Sequence, residues 1–534
     1  MYRIGSIENG NFKAAPGHKW SWETPPAPIP ESDIIETVES DVVIVGAGIA
    51  GLACGCRAAQ LGGKVIVIEK NTTFASRGAH MGAINSKVME AKGIKIDKYQ
   101  FVRDWIRVCG NRCDEKLVWR YVNNSEQVMN WVIDMAAGYG IGCEIFGGYY
   151  KGPDYTEYPG THILLGGPDC TLGDPNGRFK PAGAQAGCEI FIDQIKKHGG
   201  EIRYRTPGAQ LEKDENGRVI AVIAKSEDGY RRFVGRKGVV LATGDIGGDP
   251  EMVAAYAPIG LKPKRNAYNP PRMNTGDGHK MGYWAGGTFE DTPWPTTIHL
   301  TAYALYTFFF LFVNIEGNRF MNEDNWIQAK SLNVLRQPGG EFAYTIFDSD
   351  WVEEVERLSP IGGGQFWEPL VTFYGVPWNG ERNGIPTAIE HYLKKGLAFK
   401  ADSIEELAEK MGVPVENLCK TVGRYNELAE AGEDKDYGKR PELMLPIKKG
   451  PFYALKWGPA FLNTDGGFNV DMDLNVLDAD RKPIPGLYAA GNTIGGLYGV
   501  DYPVLLNGNS HGKCMTFGYI AATKMMTGST EGLI

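Results

Sequence analysis

The chain has 534 residues, more than one ordinary core accommodates, so about two to four units that share room for a large cofactor are expected. Its 56 basic and 64 acidic residues give a net charge of −8, which excludes a general electrostatic attraction to nucleic acid or anionic lipid and leaves a small molecule as the expected partner. A hydrophobic content of 43% with 22% charged residues is that of a soluble globular protein, and 70 glycines imply many turns and close backbone approaches.

The N-terminal stretch MYRIGSIENGNFKAAPGHKW has neither a basic segment with an apolar core nor a twin arginine, so a cytoplasmic protein is expected. WETPPAPIPESD then reads as an extended arm, taken here as residues 1–35. VVIV at 42–45 is apolar without alternation, as in a central parallel strand buried on both faces. Glycines follow at 46, 48 and 51, then the helical LACGCRAAQLG, then a second buried strand, KVIVIEK, ending in Glu69. This is the order of a dinucleotide site. Gly46 permits the tight turn, Gly48 lets a pyrophosphate approach the backbone, and Gly51 lets helix and strand pack closely, so the helix N-terminus faces the anion. Glu69 can accept hydrogen bonds from a ribose.

Nine cysteines are scattered without a CxxC or haem-attachment pattern and read as reduced thiols. Cys109 and Cys113, in CGNRC, are read as two separate thiols, the alternative being a pair that shares one helical face and binds metal. Eight histidines show no metal-ligand spacing, so no metal is expected. Tyr149 and Tyr150, in FGGYYKGPDY, are candidate wall residues of a pocket. The segment QLEKDENGRVIAVIAKSEDGYRRFVGRKGVVLATG reads as strands joined by turns at DENG and SEDG, the last ending in Ala242, Thr243 and Gly244. YALYTFFFLFV, from Tyr303 to Val313, is about half the length of a membrane span and suits a buried strand or pocket wall. SIEELAEKMGVPVENLCKTVGRYNELAEAG reads as amphipathic helices.

The stretch ending in Gly244 and PIPGLYAAGNTIGG at 483–496 resemble the "ATG" and "IPGLYAAGE" signatures of large flavoproteins, whose distant segments converge on one FAD. NTGDGHKMG at 274–282, LFVNIEGNRFMNE at 311–323 and the terminal LNGNSHGKCMTFGYIAA are similar to stretches of the fumarate reductase flavoprotein superfamily, which includes soluble alkene reductases and 3-ketosteroid dehydrogenases. The resemblance covers residues from about 40 to 525. It implies an α/β fold in which a Rossmann-like FAD-binding domain, residues 36–292 and 463–534, is interleaved with an α+β capping domain, residues 293–462. Cofactor contacts are then expected from Gly46, Gly48, Ala50, Gly51, Glu69 and Lys70. Ser76, Arg77, Met81, Gly82 and Ala83 follow, then Ala242, Thr243, Gly244 and Asp277. The C-terminal contacts are Gly491, Asn492, Asn507, Gly508, Asn509 and Ser510.

The sequence departs from the fumarate pattern at its charges. The proton-donating arginine of the resemblance falls on Ile327, its histidine before "TxGG" on Asn463, and its arginine before "LGGN" near Leu505. An isoleucine cannot donate a proton, and without two charged clamps a dicarboxylate loses most of its binding energy. Tyr502 and Pro503 stand instead where ketosteroid dehydrogenases carry a tyrosine that holds a substrate ketone. Tyr303 or Tyr306 could exchange the proton if neighbours lower the phenol pKa, and His299 and Trp294 flank the same region. His511 and Lys513 could stabilise negative charge on a reduced flavin, though a surface position for Lys513 is equally compatible.

The parts suit an oxidoreductase acting on a carbon–carbon bond conjugated to a carbonyl or ring of a neutral, hydrophobic molecule, with a tyrosine or histidine moving the proton. No second nucleotide motif follows, so a separate electron carrier is expected. The alternatives are a fumarate reductase-like carboxylate reductase, a non-redox flavoprotein such as a hydratase or isomerase, and a binding protein that has lost catalysis.

Overall fold

The sequence IIETVESDVVIV alternates in its first half and is continuously apolar in its second, and strand β1 (Ile34–Val45) follows suit, half-exposed at first and buried throughout VVIV. The computed structural model describes residues 5–8, 11–14, 19–76, 78–147, 151–152, 156–173, 180–268, 271, 273–304, 306–307, 309–368, 372–376, 378–380 and 386–533. β2 (Val65–Ile68) is buried at every position and runs parallel to β1, Val42 opposite Val65 and Val45 opposite Ile68. β3 (Glu201–Arg203) adds to β2 in parallel.

β4 (Gly208–Lys213), β5 (Val219–Ser226) and β6 (Gly229–Leu241) form the antiparallel meander, with turns at DENG and SEDG as the sequence predicts. The apolar end of β6 re-enters the parallel sheet beside β1, Val239 opposite Val43 and Leu241 opposite Val45. On the other side of β6 the C-terminal segment Pro483–Ala489 pairs in parallel. Residues more than 400 positions apart thus end at one sheet edge. Helix α1 (Ile49–Gln60) leaves β1 through the glycine turn; its small residues let it pack between α2 (Gly183–Lys197) and the terminal helix.

A second sheet is built around one long strand. Its members are β7 (Arg265–Asn266), β8 (Thr296–Tyr303), β9 (Leu311–Val313), β10 (Ala343–Phe347), β11 (Ala398–Ala401) and the central β12 (Phe452–Thr464). β8, β10 and β11 all pair antiparallel with β12. The run from Tyr303 to Val313 is not the single strand its apolarity suggests. β8 stops at Tyr303, whose φ of 73° turns the backbone left-handed, and a short piece at Tyr306–Thr307 precedes β9. α3 (Asp277–Trp284) and α4 (Ile327–Val334) lie between the sheets in sequence. α5 (Ile404–Met411) and α6 (Val415–Ala431), the amphipathic pair, bury Leu407, Leu418, Val422 and Tyr425 against β9 and β10.

β13 (Asn475–Leu477) and β14 (Pro483–Ala489) return the chain to the first sheet, whose order becomes β13-β14-β6-β1-β2-β3. α7 (Asn509–Thr527) closes the chain against α1. The N-terminal arm is tied down by Trp22, 5% exposed, whose ring meets Tyr256 and Tyr283. Among the described residues no helix is long and apolar enough to cross a membrane.

Candidate active site

The C-terminal ends of β1, β6 and β14 open onto a cavity of about 820 Å³ that runs from the α1 N-terminus to the second sheet. The glycine turn has the geometry its spacing requires. Gly46 has φ of 111°, and a Cβ there would stand 2.3 Å from the Ala242 carbonyl oxygen. A Cβ on Gly51 would stand 2.0 Å from the Gly46 carbonyl oxygen, whereas one on Gly48 would meet nothing within 4 Å. Gly48 therefore leaves the backbone open to the cavity, and the α1 N-terminus beside it has no side-chain cap. Unpaired N–H groups and the helix dipole there favour a pyrophosphate.

Glu69 lines the cavity and already accepts the Ala47 N–H through Oε2 and the Asn71 N–H through Oε1, each at 2.8 Å. Each oxygen keeps a second lone pair for a ribose hydroxyl. Lys70 and Asp277 both reach the cavity and pair with each other at 2.8 Å. Ala50, Ser76, Ala242, Thr243 and Gly244 line it too. At the far end stand Gly491, Asn492, Asn507, Gly508 and Ser510. Asn507 Nδ2 is buried without a hydrogen-bond partner, a donor left for a ligand. α7 starts after Gly508 without a side-chain cap, and its positive end faces the same cavity. An elongated cavity with a pyrophosphate seat, a ribose acceptor and donors for a polar ring fits FAD.

Some expected contacts stand behind the wall. Met81, Gly82 and Ala83 do not line the cavity; Gly82 instead donates its N–H to the Gly508 carbonyl at 2.7 Å and positions the α7 start. The Asn509 amide bonds the Pro503 and Leu506 carbonyls, at 2.9 and 2.8 Å, and so holds the turn into α7 from within. Arg77, Tyr149 and Tyr150 lie outside the described residues, as does the Tyr306 side chain.

His299, Tyr303 and Tyr502 all line the cavity. His299 and Tyr502 meet edge to face, with ring centroids 6.0 Å apart. Burial lowers the His299 pKa to about 4 and leaves Nε2 without a partner, so the imidazole is neutral near pH 7. Tyr502 is 6% exposed, and burial chiefly, with the nearby Asp465, raises its pKa. The Ser510 N–H donates to its hydroxyl oxygen at 3.2 Å. Tyr303 corrects the expectation of a lowered phenol pKa. Burial and a hydrogen bond to Glu341 raise it, and Arg265 and Lys456 flank its ring. A phenol bound to a carboxylate and raised in pKa is not a ready proton donor, so Tyr303 is a wall residue.

Ile327 is half-buried against the hydrophobic interior and Leu505 is 1% exposed. Asn463 lines the cavity. The cations among the described lining residues are Lys70, paired with Asp277, and Arg265, beside Tyr303. Arg265 was not legible in the sequence, because the pairing of β7 with β12 that brings it there carries no motif. Lys513 also corrects an expectation: it is not at the surface but fully buried, 3.9 Å from Asp465. His511 lines the cavity, and its Nδ1 faces the His80 carbonyl at 2.6 Å.

The sequence profile of the family described as FAD binding domain matches residues 41–510. A fumarate reductase (cytochrome) of Shewanella frigidimarina is 28% identical over 90% of this chain and 76% of its own length. A vinyl phenol reductase of Lactiplantibacillus plantarum is 26% identical over 90% of this chain and 94% of its own. Among solved structures, 3-ketosteroid-Δ4-(5α)-dehydrogenase from Rhodococcus jostii RHA1 superposes with a TM-score of 0.68 at 22% identity, covering 93% of this chain and 99% of that one. That likeness is one of fold.

Proposed function

This chain belongs to the FAD binding domain family, and on that premise we propose that it is an FAD-dependent oxidoreductase acting on a carbon–carbon bond conjugated to a carbonyl or aromatic ring of a neutral molecule. The observation that carries this reading is the facing pair His299 and Tyr502, both uncharged, with Ile327, Asn463 and Leu505 at the positions where the resemblance to fumarate reductases calls for charged groups. A neutral imidazole and a phenol can orient a ketone or phenolic oxygen but give a second carboxylate no counter-charge.

When bound, FAD supplies two-electron exchange with the substrate carbon. The residues of this chain do the rest. The Tyr502 hydroxyl accepts from Ser510 N–H, so its own hydrogen is free to bond the substrate oxygen and stabilise the charge that develops there. His299 Nε2, enclosed and unpartnered, accepts a hydrogen bond and so helps to orient the substrate beside Tyr502. Apolar Ala302, Leu462 and Ala460 line the same end of the cavity and limit water there. We place the FAD-binding parts at 36–292 and 463–534 and the cap at 293–462, with electrons supplied by a separate carrier. The nine free thiols support a cytoplasmic location.

The test is anaerobic photoreduction of the purified yellow protein, followed by cyclohex-2-enone, 4-vinylphenol, androst-4-ene-3,17-dione or fumarate, with reoxidation read at the flavin absorbance. A neutral conjugated alkene should restore the oxidised spectrum and fumarate should not. Reoxidation by fumarate alone supports the carboxylate reading, which the similarity to fumarate reductase favours.

A further inference from the structure

Four segments bring three ionisable groups and a hydroxyl together behind the cavity wall. Glu290 follows α3, Thr297 is on β8, Asp465 follows β12 and Lys513 is in the first turns of α7. Lys513 and Asp465 are both fully buried, with Nζ 3.9 Å from Oδ1, and neither atom makes a hydrogen bond. That separation keeps the two charges in contact but exceeds a hydrogen bond, so a buried donor and a buried acceptor are left with capacity to spare.

The other Asp465 oxygen accepts from Thr297 Oγ1 at 2.8 Å, and Thr297 lines the cavity. Glu290 Oε2 accepts the Gly496 N–H at 2.9 Å, while Oε1 is enclosed without a partner. A Cβ on Gly495 or Gly466 would stand 2.4 or 2.6 Å from that oxygen, so the chain leaves room for the carboxyl only by carrying glycine on both sides. Gly466 is the neighbour of Asp465 in sequence, and the Asp465 charge acts on the Glu290 carboxyl. Residues 291–293, next to Glu290 in sequence, are exposed, so the relay's outer end lies close to the surface along the chain.

Lys513 faces Asp465, Glu290, Asp245 and Cys514, and its ammonium lies 4.3 Å from the centre of the Tyr498 ring. Asp465 faces Lys513, Thr297, Asn463 and Asp245; Glu290 faces Lys513, Asp465 and two backbone N–H groups. His279, stacked on Phe468 and 5.7 Å from Trp294 between centroids, is kept neutral by burial. One ammonium is therefore set against several buried carboxyls, an arrangement that stays neutral only by holding protons. Burial raises Asp465 to about 6 and Glu290 to about 7.

We propose that Glu290, Lys513 and Asp465 form a proton relay that opens into the cavity at the Thr297 hydroxyl and supplies the substrate proton, in place of the arginine whose position Ile327 occupies. The proposal rests on the redox reading above. Its steps move protons only. Lys513 Nζ gives a proton to Asp465, turning ammonium and carboxylate into amine and carboxylic acid. A half-turn of that carboxyl hands the proton to Thr297 Oγ1 as the threonine's own hydrogen leaves for the substrate carbon. Glu290, protonated from water, restores Lys513.

Wild type, Asp465→Asn, Asp465→Glu and Glu290→Gln are compared in the FAD-loaded protein. Infrared difference spectra of the wild type should show a buried carboxylic acid that ionises between about pH 6 and about pH 7. Its signal should be reduced in both carboxamide variants. The pH dependence of the flavin midpoint potential should bend in the same window in wild type and Asp465→Glu and lose its bend near about pH 6 in Asp465→Asn. Reoxidation by 4-vinylphenol should slow by about 100-fold in Asp465→Asn. A wild type without the carboxylic acid band, or an Asp465→Asn protein with the wild-type potential curve and rate, overturns the relay. The band is read on wild type, so a variant that fails to fold leaves the proposal testable. A protein that shows the band but reacts with none of the alkenes overturns the redox reading instead.

Discussion

Tyr502 shows how a phenol can serve without ionising. Its oxygen is occupied by the Ser510 N–H and its pKa is raised, so what it offers is a fixed hydrogen-bond donor beside a neutral imidazole. Tyr502→Phe should retain FAD and cut the rate of reoxidation by cyclohex-2-enone about 100-fold, as expected on removing one oriented donor to a developing charge. Unchanged stopped-flow traces would remove Tyr502 from the reaction. The sequence could point to Tyr502 because a proline and a flavin-side helix start lie next to it. It could not sort Tyr303 from Tyr502, since the carboxylate that binds Tyr303 is Glu341, on a segment with no motif. The same holds for Lys513, whose burial depends on Asp465, Glu290 and Tyr498 arriving from three other parts of the chain.

At the scale of elements, the signature GNRFMNE acquires a structural job. Arg319 reaches Glu323 and Asp434, each at 2.8 Å, and the three side chains are 7%, 0% and 0% exposed; Lys439 adds a further contact to Glu323 at 3.4 Å. This ties the loop after β9 to the end of α6. Arg319→Met should cost about 3–5 kcal/mol, because it strands two buried carboxylates rather than removing one surface pair. Urea unfolding followed by tryptophan fluorescence would read the loss, and an unchanged midpoint would show that Lys439 alone neutralises both. The turn from β1 into α1 makes a second demand. Gly51→Ala places a Cβ against the Gly46 carbonyl oxygen, so purified variant should hold less than about a tenth of the wild-type flavin absorbance per protein, and full flavin content would show that α1 can shift. These elements were legible because VVIV, the glycine spacing and the hairpin turns are local signals. The run from Tyr303 to Val313 was not, since hydropathy records burial and carries no trace of the left-handed turn at Tyr303 that breaks it.

Over the whole molecule, buried groups of opposite type set how stability varies with acidity. His162 is fully buried, its Nε2 2.7 Å from Ser86 Oγ and its Nδ1 2.8 Å from the Gly160 carbonyl oxygen, and burial lowers its pKa to about 4. A group whose folded pKa lies below its unfolded value near 6.5 binds more protons when unfolded, so stability is lost as pH falls from about 6.5 to about 4, by about 1.4 kcal/mol per pH unit for each such group. His279, lowered to about 3 by burial, acts in the same direction. Asp465, Glu290 and Asp501 act in the opposite one. Their folded values of about 6, about 7 and about 7 lie above those of the unfolded chain, so their contribution is present at low pH and lost as pH rises through those values. Between about pH 4.5 and 6 the two sets oppose each other, so stability varies less with pH than either set alone would make it. Single substitutions unbalance them in predictable directions. His162→Gln should be less acid-sensitive than wild type by about 1.4 kcal/mol per pH unit over this window, whatever constant loss its missing hydrogen bonds impose. Asp465→Asn should gain stability relative to wild type as pH rises from about 4 to about 6. Calorimetry of the three proteins across the pH series reads both slopes, and parallel curves would mean that neither group changes its protonation on folding.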